Sequence, residues 1–239
     1  MGSVGFGQGY APNNRLKIGS WNLVNVKLEV TPKLNIFAES QLRSQEFINA
    51  INYWEAKAFF HYKVGETTWL GMGAGTYHQY QNYRNFSTPQ SQKEFRAWAE
   101  GFQKVTNGRF IFEHRYRAEY RLIGKYNVGT DDFVVNTGSN GADRFRFRYR
   151  LQTFVPLNHK TMAPKTIFFN ASDELMFTNS APFYSQNRLF AGAGYKFNAK
   201  SQVMVGLMHQ WNRSNTAITL KNYVQVTFAT VLKTKRMKS

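Results

Sequence analysis

The chain has 239 residues, with 31 Lys and Arg against 14 Asp and Glu, a formal net charge of +17, 42% hydrophobic and 16% aromatic residues, and no cysteine. That length builds one sizeable domain or one barrel of about a dozen strands, and the missing cysteine excludes a disulfide framework and any Cys-based metal centre. No run approaches the roughly 20 apolar residues of a membrane-spanning helix, so a membrane-crossing structure here has to be a closed barrel.

So large a positive excess in a soluble chain ordinarily marks a binder of nucleic acid or of anionic membranes. Here, however, like charges cluster only at Lys233, Lys235, Arg236 and Lys238. Elsewhere Arg and Lys alternate with aromatic and aliphatic residues, which is a signal of folded strands rather than of a basic tail.

From the start of the chain, Met1 to Gln8 (MGSVGFGQ) is small and weakly apolar, like the end of a secretory signal and its cleavage region. Residues 1–12 therefore read as a signal remnant or as a first strand, residues 13–232 as the barrel, and residues 233–239 as a basic C-terminal tail. Period-two alternation predicts strands at about 15–30, 33–43, 49–63, 67–82, 92–106, 108–124, 141–157, 164–179, 186–198, 201–214 and 217–232. They are longer than the roughly 5-residue strands of ordinary soluble sheets.

Two strands define the pattern. Glu113, Arg115, Arg117, Glu119 and Arg121 share one face, opposite Phe110, Phe112, Tyr116, Ala118, Tyr120 and Leu122, with His114 the polar exception on the apolar side. Then Arg144, Arg146, Arg148 and Arg150 point one way, while Phe145, Phe147, Tyr149, Leu151 and Val155 point the other. A helix would spray those arginines around its axis, and only a strand segregates them.

The links around Thr31-Pro32-Lys33, Val64-Gly65-Glu66, Thr106-Asn107-Gly108 and Asn198-Ala199-Lys200 carry tight-turn residues. Those at Tyr83 to Ser91, Lys125 to Gly141 and Asn179 to Ser185 are longer, matching the short periplasmic turns and longer extracellular loops of an outer-membrane barrel. Single-chain bacterial barrels have even strand numbers, so a twelfth strand is expected, from Gly5 to Asn13, with ten by merger as the alternative.

In a membrane barrel the apolar face looks outward and the charged face lines the lumen, the inverse of a soluble barrel. The polar face here mixes charge with Phe37, Phe59, Trp69, Phe154, Gly71, Gly73, Gly75, Gly192 and Gly194. Small residues beside large ones suit a crowded interior better than a solvated surface. On the apolar face, Trp54, Tyr80, Tyr120 and Trp211 near one rim and Tyr62, Phe110 and Phe197 near the other are candidate interfacial aromatics.

With these segments in view, the chain resembles the domain of unknown function 2490 family, outer-membrane barrels of Gram-negative bacteria. The resemblance is carried by Ser20-Trp21, Glu39 to Arg43 (ESQLR), Glu94 to Trp98 (EFRAW), His114 to Arg121 (HRYRAEYR), Arg144 to Leu157 (RFRFRYRLQTFVPL), Asp173 to Phe177 (DELMF), Gln186 to Phe190 (QNRLF) and Gly192 to Tyr195 (GAGY). It implies an outer-membrane location and a porin-like architecture, with no biochemical role attached. One departure is that such barrels commonly end in an aromatic residue, whereas here a basic tail follows Val231 and Leu232.

The expected lumen charge network sets Glu39, Glu55, Glu94, Glu113, Glu119 and Glu174 against Arg43, Arg96, Arg115, Arg117, Arg121, Arg144, Arg146, Arg148, Arg150 and Arg188. Guanidinium forks pair with carboxylates and lace neighbouring strands together, so a structural plug, or an accessory part of an envelope assembly, is the expected role. An alternative leaves Arg146, Arg148 and Arg150 unpaired as the ladder of a narrow anion-preferring pore. A soluble basic barrel binding nucleic acid or lipid is the other. Nucleic acid is not an expected partner, because rings and arginines lie on opposite faces and cannot jointly clamp a strand. The expected partners are outer-membrane lipids and other envelope proteins. His61, His78, His114, His159 and His209 show no catalytic or metal-ligand spacing, so no enzyme activity, metal or cofactor is expected.

Overall fold

A computed structural model describes residues 18–47, 49–80, 90–127, 132–135 and 145–234. The expected signal remnant or strand within residues 1–12, the candidate strand Gly5 to Asn13, and Arg144 lie outside the described residues.

The alternating segments form β1 (Ile18–Glu29), β2 (Leu34–Glu46), β3 (Asn49–Lys63), β4 (Thr68–Tyr80), β5 (Gln90–Asn107), β6 (Phe110–Asn127), β7 (Asp132–Val135), β8 (Phe145–Pro156), β9 (Thr166–Thr178), β10 (Tyr184–Lys196), β11 (Ser201–Arg213) and β12 (Ile218–Lys233). All but β7 join one closed ring, each antiparallel to the next in sequence, with β6 paired to β5 on one side and β8 on the other. The short β7 lies against the end of β6, outside the ring, in a segment expected to be loop.

The ring has eleven strands among the described residues, and this corrects the expectation of twelve, or ten, from an even-number rule. The barrel closes on a parallel pair: β1 and β12 run side by side from Ile18↔Asn222 to Glu29↔Lys233. An odd ring of otherwise antiparallel strands must contain one such pair, and its direct hydrogen bonding leaves no slot for a further strand between them.

Turn chemistry sets one rim. The Thr31 hydroxyl accepts the Leu34 amide at 2.9 Å, Gly108 takes φ +60°, and the Asn198 side chain accepts the amides of Lys200 and Ser201. These turns and the β3–β4 turn lie on the same rim. So does a longer link, 157–165, between β8 and β9, where the Asn158 amide donates to the Lys165 carbonyl and its oxygen accepts the Ile167 amide. Conversely the β2–β3 connection, on the opposite rim, is only residues 47–48. Link length therefore sorts the rims less cleanly than the sequence suggested.

The two faces are segregated as the alternation requires. Val24, Ile36, Leu70, Met72, Phe147, Val205 and Leu207 point outward and are exposed, Leu207 to 64%. Gln41, Arg43, Glu55, Arg96, Arg117, Glu119, Arg148 and Glu174 are buried inside, Glu119 to 1%. Large apolar side chains fill the rest: Trp21, Phe190, Met208 and Tyr223 form one buried cluster. Glycines make room for them. A Cβ on Gly73 would lie 2.4 Å from the Trp98 indole, and one on Gly194 would lie 2.3 Å from the Phe168 ring.

Candidate functional site: the charged lumen

Alternation brings each of these inward carboxylates beside a guanidinium or ammonium group on its own strand or a nearby one. On β2 and β3, Lys57 pairs with Glu39 and, at 2.7 Å, with Glu55, while Arg43 reaches Glu55 at 3.5 Å. The Arg43 guanidinium lies over the rings of Trp21 (3.5 Å) and Tyr53 (4.1 Å), a cation–π arrangement that suits its flat, weakly hydrated cation.

On β5 and β6, both oxygens of Glu94 accept from the Arg96 fork, at 2.6 and 2.8 Å, and Arg121 also donates to Glu94. Arg96 in turn packs 3.6 Å from the Tyr77 ring centre. Glu100 bonds the His61 Nε2 at 2.7 Å and accepts from Arg117 at 2.7 Å.

The most heavily shared acceptors are Glu119 and Glu174. Glu119 accepts from Arg146 Nε and from Arg148 Nη1, both at 2.8 Å, and lies 3.5 Å from Arg117. Glu174 accepts from Arg115, from Arg148 at 2.7 Å and from Arg188 at 3.4 Å. Because Arg117 touches both Glu100 and Glu119, and Arg148 both Glu119 and Glu174, the pairs link into one chain from β3 to β10. Two cross-strand arginine pairs, Arg117↔Arg148 and Arg115↔Arg150, would repel if left alone, and these glutamates offset that repulsion.

Of the expected network, Arg115, Arg117, Glu119, Arg146, Arg148, Glu174 and Arg188 meet in this chain, while Arg96 and Arg121 meet each other at Glu94. Glu113 does not: it sits near the short-turn rim, 3.3 Å from the half-exposed Lys104. Of the three arginines that the anion-pore alternative leaves unpaired, Arg146 and Arg148 are fully paired, because Glu119 and Glu174 on the flanking strands fall beside them. Arg150 alone has no carboxylate within salt-bridge distance among the described residues, and its Nε is buried without a partner. The sequence reading missed Glu100, Lys57 and His61, although Glu94, Arg96, Trp98, Glu100 and Glu55, Lys57, Phe59, His61 are unbroken period-two runs that would have found them.

The candidate interfacial aromatics all stand on the outward register. Tyr62, Phe110 and Phe197 lie exposed at the short-turn rim. Toward the other rim, Trp54 donates its indole N–H to Tyr80 at 3.1 Å, Tyr120 packs on Phe145, and Trp211 meets His209 edge-on. The outward histidines are partnered on the wall, His78 by stacking on Trp54 with ring centres 4.0 Å apart, His114 by the Tyr149 hydroxyl at 2.9 Å and His209 by Asn222. Among the described residues no group of three or more His, Asp or Glu side chains is arranged to hold a metal ion.

Fold and site together define a closed eleven-stranded β-barrel whose interior is locked by interlinked guanidinium–carboxylate pairs. The family described as protein of unknown function (DUF2490) matches residues 18–221, and the chain belongs to it. No curated protein matches the sequence.

Proposed function

We propose that this chain is an integral outer-membrane barrel of a Gram-negative bacterium, a rigid structural or accessory component of an envelope assembly and not an enzyme. The observation that carries the reading is the inverted wall: aliphatic and aromatic side chains stand exposed all round the outside, while charge is interior. In water such a wall far exceeds the few hundred Å² of apolar patch that a soluble monomer tolerates, whereas in hydrocarbon it is solvated. Strands of about 13 residues rising ~3.3 Å each, tilted by roughly 40°, cover about 30 Å, the thickness of a bilayer core. The aromatic residues at both rims suit its two interfaces.

The plugged interior supports a structural role over an open pore. Outer-membrane lipids are the proposed solvent of the wall, and other envelope proteins the proposed docking partners of the rims. Cell fractionation with heat-modifiable gel migration tests the reading. We expect the protein in the outer-membrane fraction, running as a compact band unless boiled. Recovery as a detergent-free aqueous monomer, with one mobility heated or not, would overturn it.

A further inference from the structure

One register row runs through six neighbouring strands on the inner face: Arg115 on β6 faces Arg150 on β8, which faces Glu174 on β9, then Arg188 on β10, Gln210 on β11 and Lys221 on β12. This arc holds four cations and one carboxylate. Both oxygens of that carboxylate are already engaged, Oε1 by Arg115 and Arg148 and Oε2 by Arg188. Arg150 and Lys221 have no ion pair among the described residues, and the Nε atoms of Arg115, Arg150 and Arg188 are buried without an acceptor. A further guanidinium, Arg43, joins Arg188 beside the Trp21 ring, at 3.5 and 5.0 Å from its centre.

Uncompensated cations packed in an interior of low dielectric are costly, and N–H groups left without acceptors add to that cost. An oxyanion relieves both at once, since guanidinium forks match its oxygens in pairs and an ammonium adds a point charge. We propose that the arc is a binding site for a free oxyanion of the phosphate class, entering the lumen from the aqueous side, with Arg150 and Lys221 as its principal contacts. Both are half-buried, in contrast to the fully enclosed Arg117 and Arg148 of the locked chain. The site depends on the enclosed interior and not on where the barrel resides, so a failed fractionation leaves it standing.

The test is calorimetric titration of inorganic phosphate into the purified, folded barrel at fixed low chloride, for the native chain and for Arg150→Gln, Lys221→Gln and Glu113→Gln. Saturable binding is expected in the native chain. Each of the first two variants should weaken it about tenfold or more, the scale of one lost charge-assisted hydrogen bond, and Glu113→Gln should leave it unchanged. A native-like β-sheet circular dichroism spectrum with a cooperative thermal transition for each variant confirms that the titrated protein is folded, wherever the barrel resides. No saturable binding to the folded native chain, or equal binding in all four proteins, would overturn the proposal.

Discussion

Replacing Glu119 by Gln removes one negative charge and no volume. The carboxylate is 1% exposed and holds Arg146 and Arg148, each at 2.8 Å, with Arg117 at 3.5 Å. Arg148 keeps Glu174 and Arg117 keeps Glu100, so the group stranded by the change is Arg146, itself buried and with Glu119 as its one ion-pair partner among the described residues. Breaking a buried pair from one side costs about 3–5 kcal/mol, because the remaining charge stays out of water without compensation. At roughly 2–4 °C per kcal/mol for a chain of this size, Glu119→Gln should lower the temperature of the folded-to-unfolded gel transition by about 6–20 °C. Glu113→Gln is the built-in comparison: its partner Lys104 is 44% exposed, and such pairs contribute about 0–1 kcal/mol. Urea titration in detergent measures the same difference at equilibrium. If Glu119→Gln and Glu113→Gln shift the transition equally, the account of an ion-locked interior is wrong.

Other perturbations probe different parts of the barrel. Arg148→Gln should destabilise by about 3–5 kcal/mol while Arg150→Gln is neutral or stabilising, because the first removes a shared donor and the second relieves repulsion from Arg115; chemical unfolding of the two side by side decides it. Gly194→Ala should cost about 1–3 kcal/mol, since the new methyl meets the Phe168 ring and the Val203 carbonyl, and an unchanged urea midpoint would contradict the packing. Leu207→Arg, on the outward wall, should cost about 2–4 kcal/mol for a barrel folded into vesicles if the residue stands near the bilayer midplane. The same change on a water-facing surface would stay within about 0.5 kcal/mol.

Much of this architecture was legible in the sequence because period two is a local property. RFRFRYR needs no distant partner to declare that Arg146, Arg148 and Arg150 share a face, and the strands drawn from alternation lie within a few residues of those observed. What was not legible depends on closure. Whether Ile18 meets Asn222 in a parallel ladder is decided by register accumulated around the ring between residues 204 positions apart, which no local window contains. The fate of individual arginines is similar. Arg146 and Arg150 are equivalent in sequence, yet one lies across from Glu119 and the other across from Arg115. By contrast, Glu100 and Lys57 could have been found by extending runs already recognised.

The most direct test of the central claim uses the absence of cysteine from the chain. Single cysteines are placed at Leu207 on the outer wall and, as a rim reference, at Ala199 in the β10–β11 turn, each carrying a fluorophore in barrels refolded into vesicles of brominated phospholipid. The account predicts strong quenching by acyl-chain bromine at position 207 and little at 199. Equal, weak quenching at both positions, with the 207 label open to aqueous iodide, would contradict it.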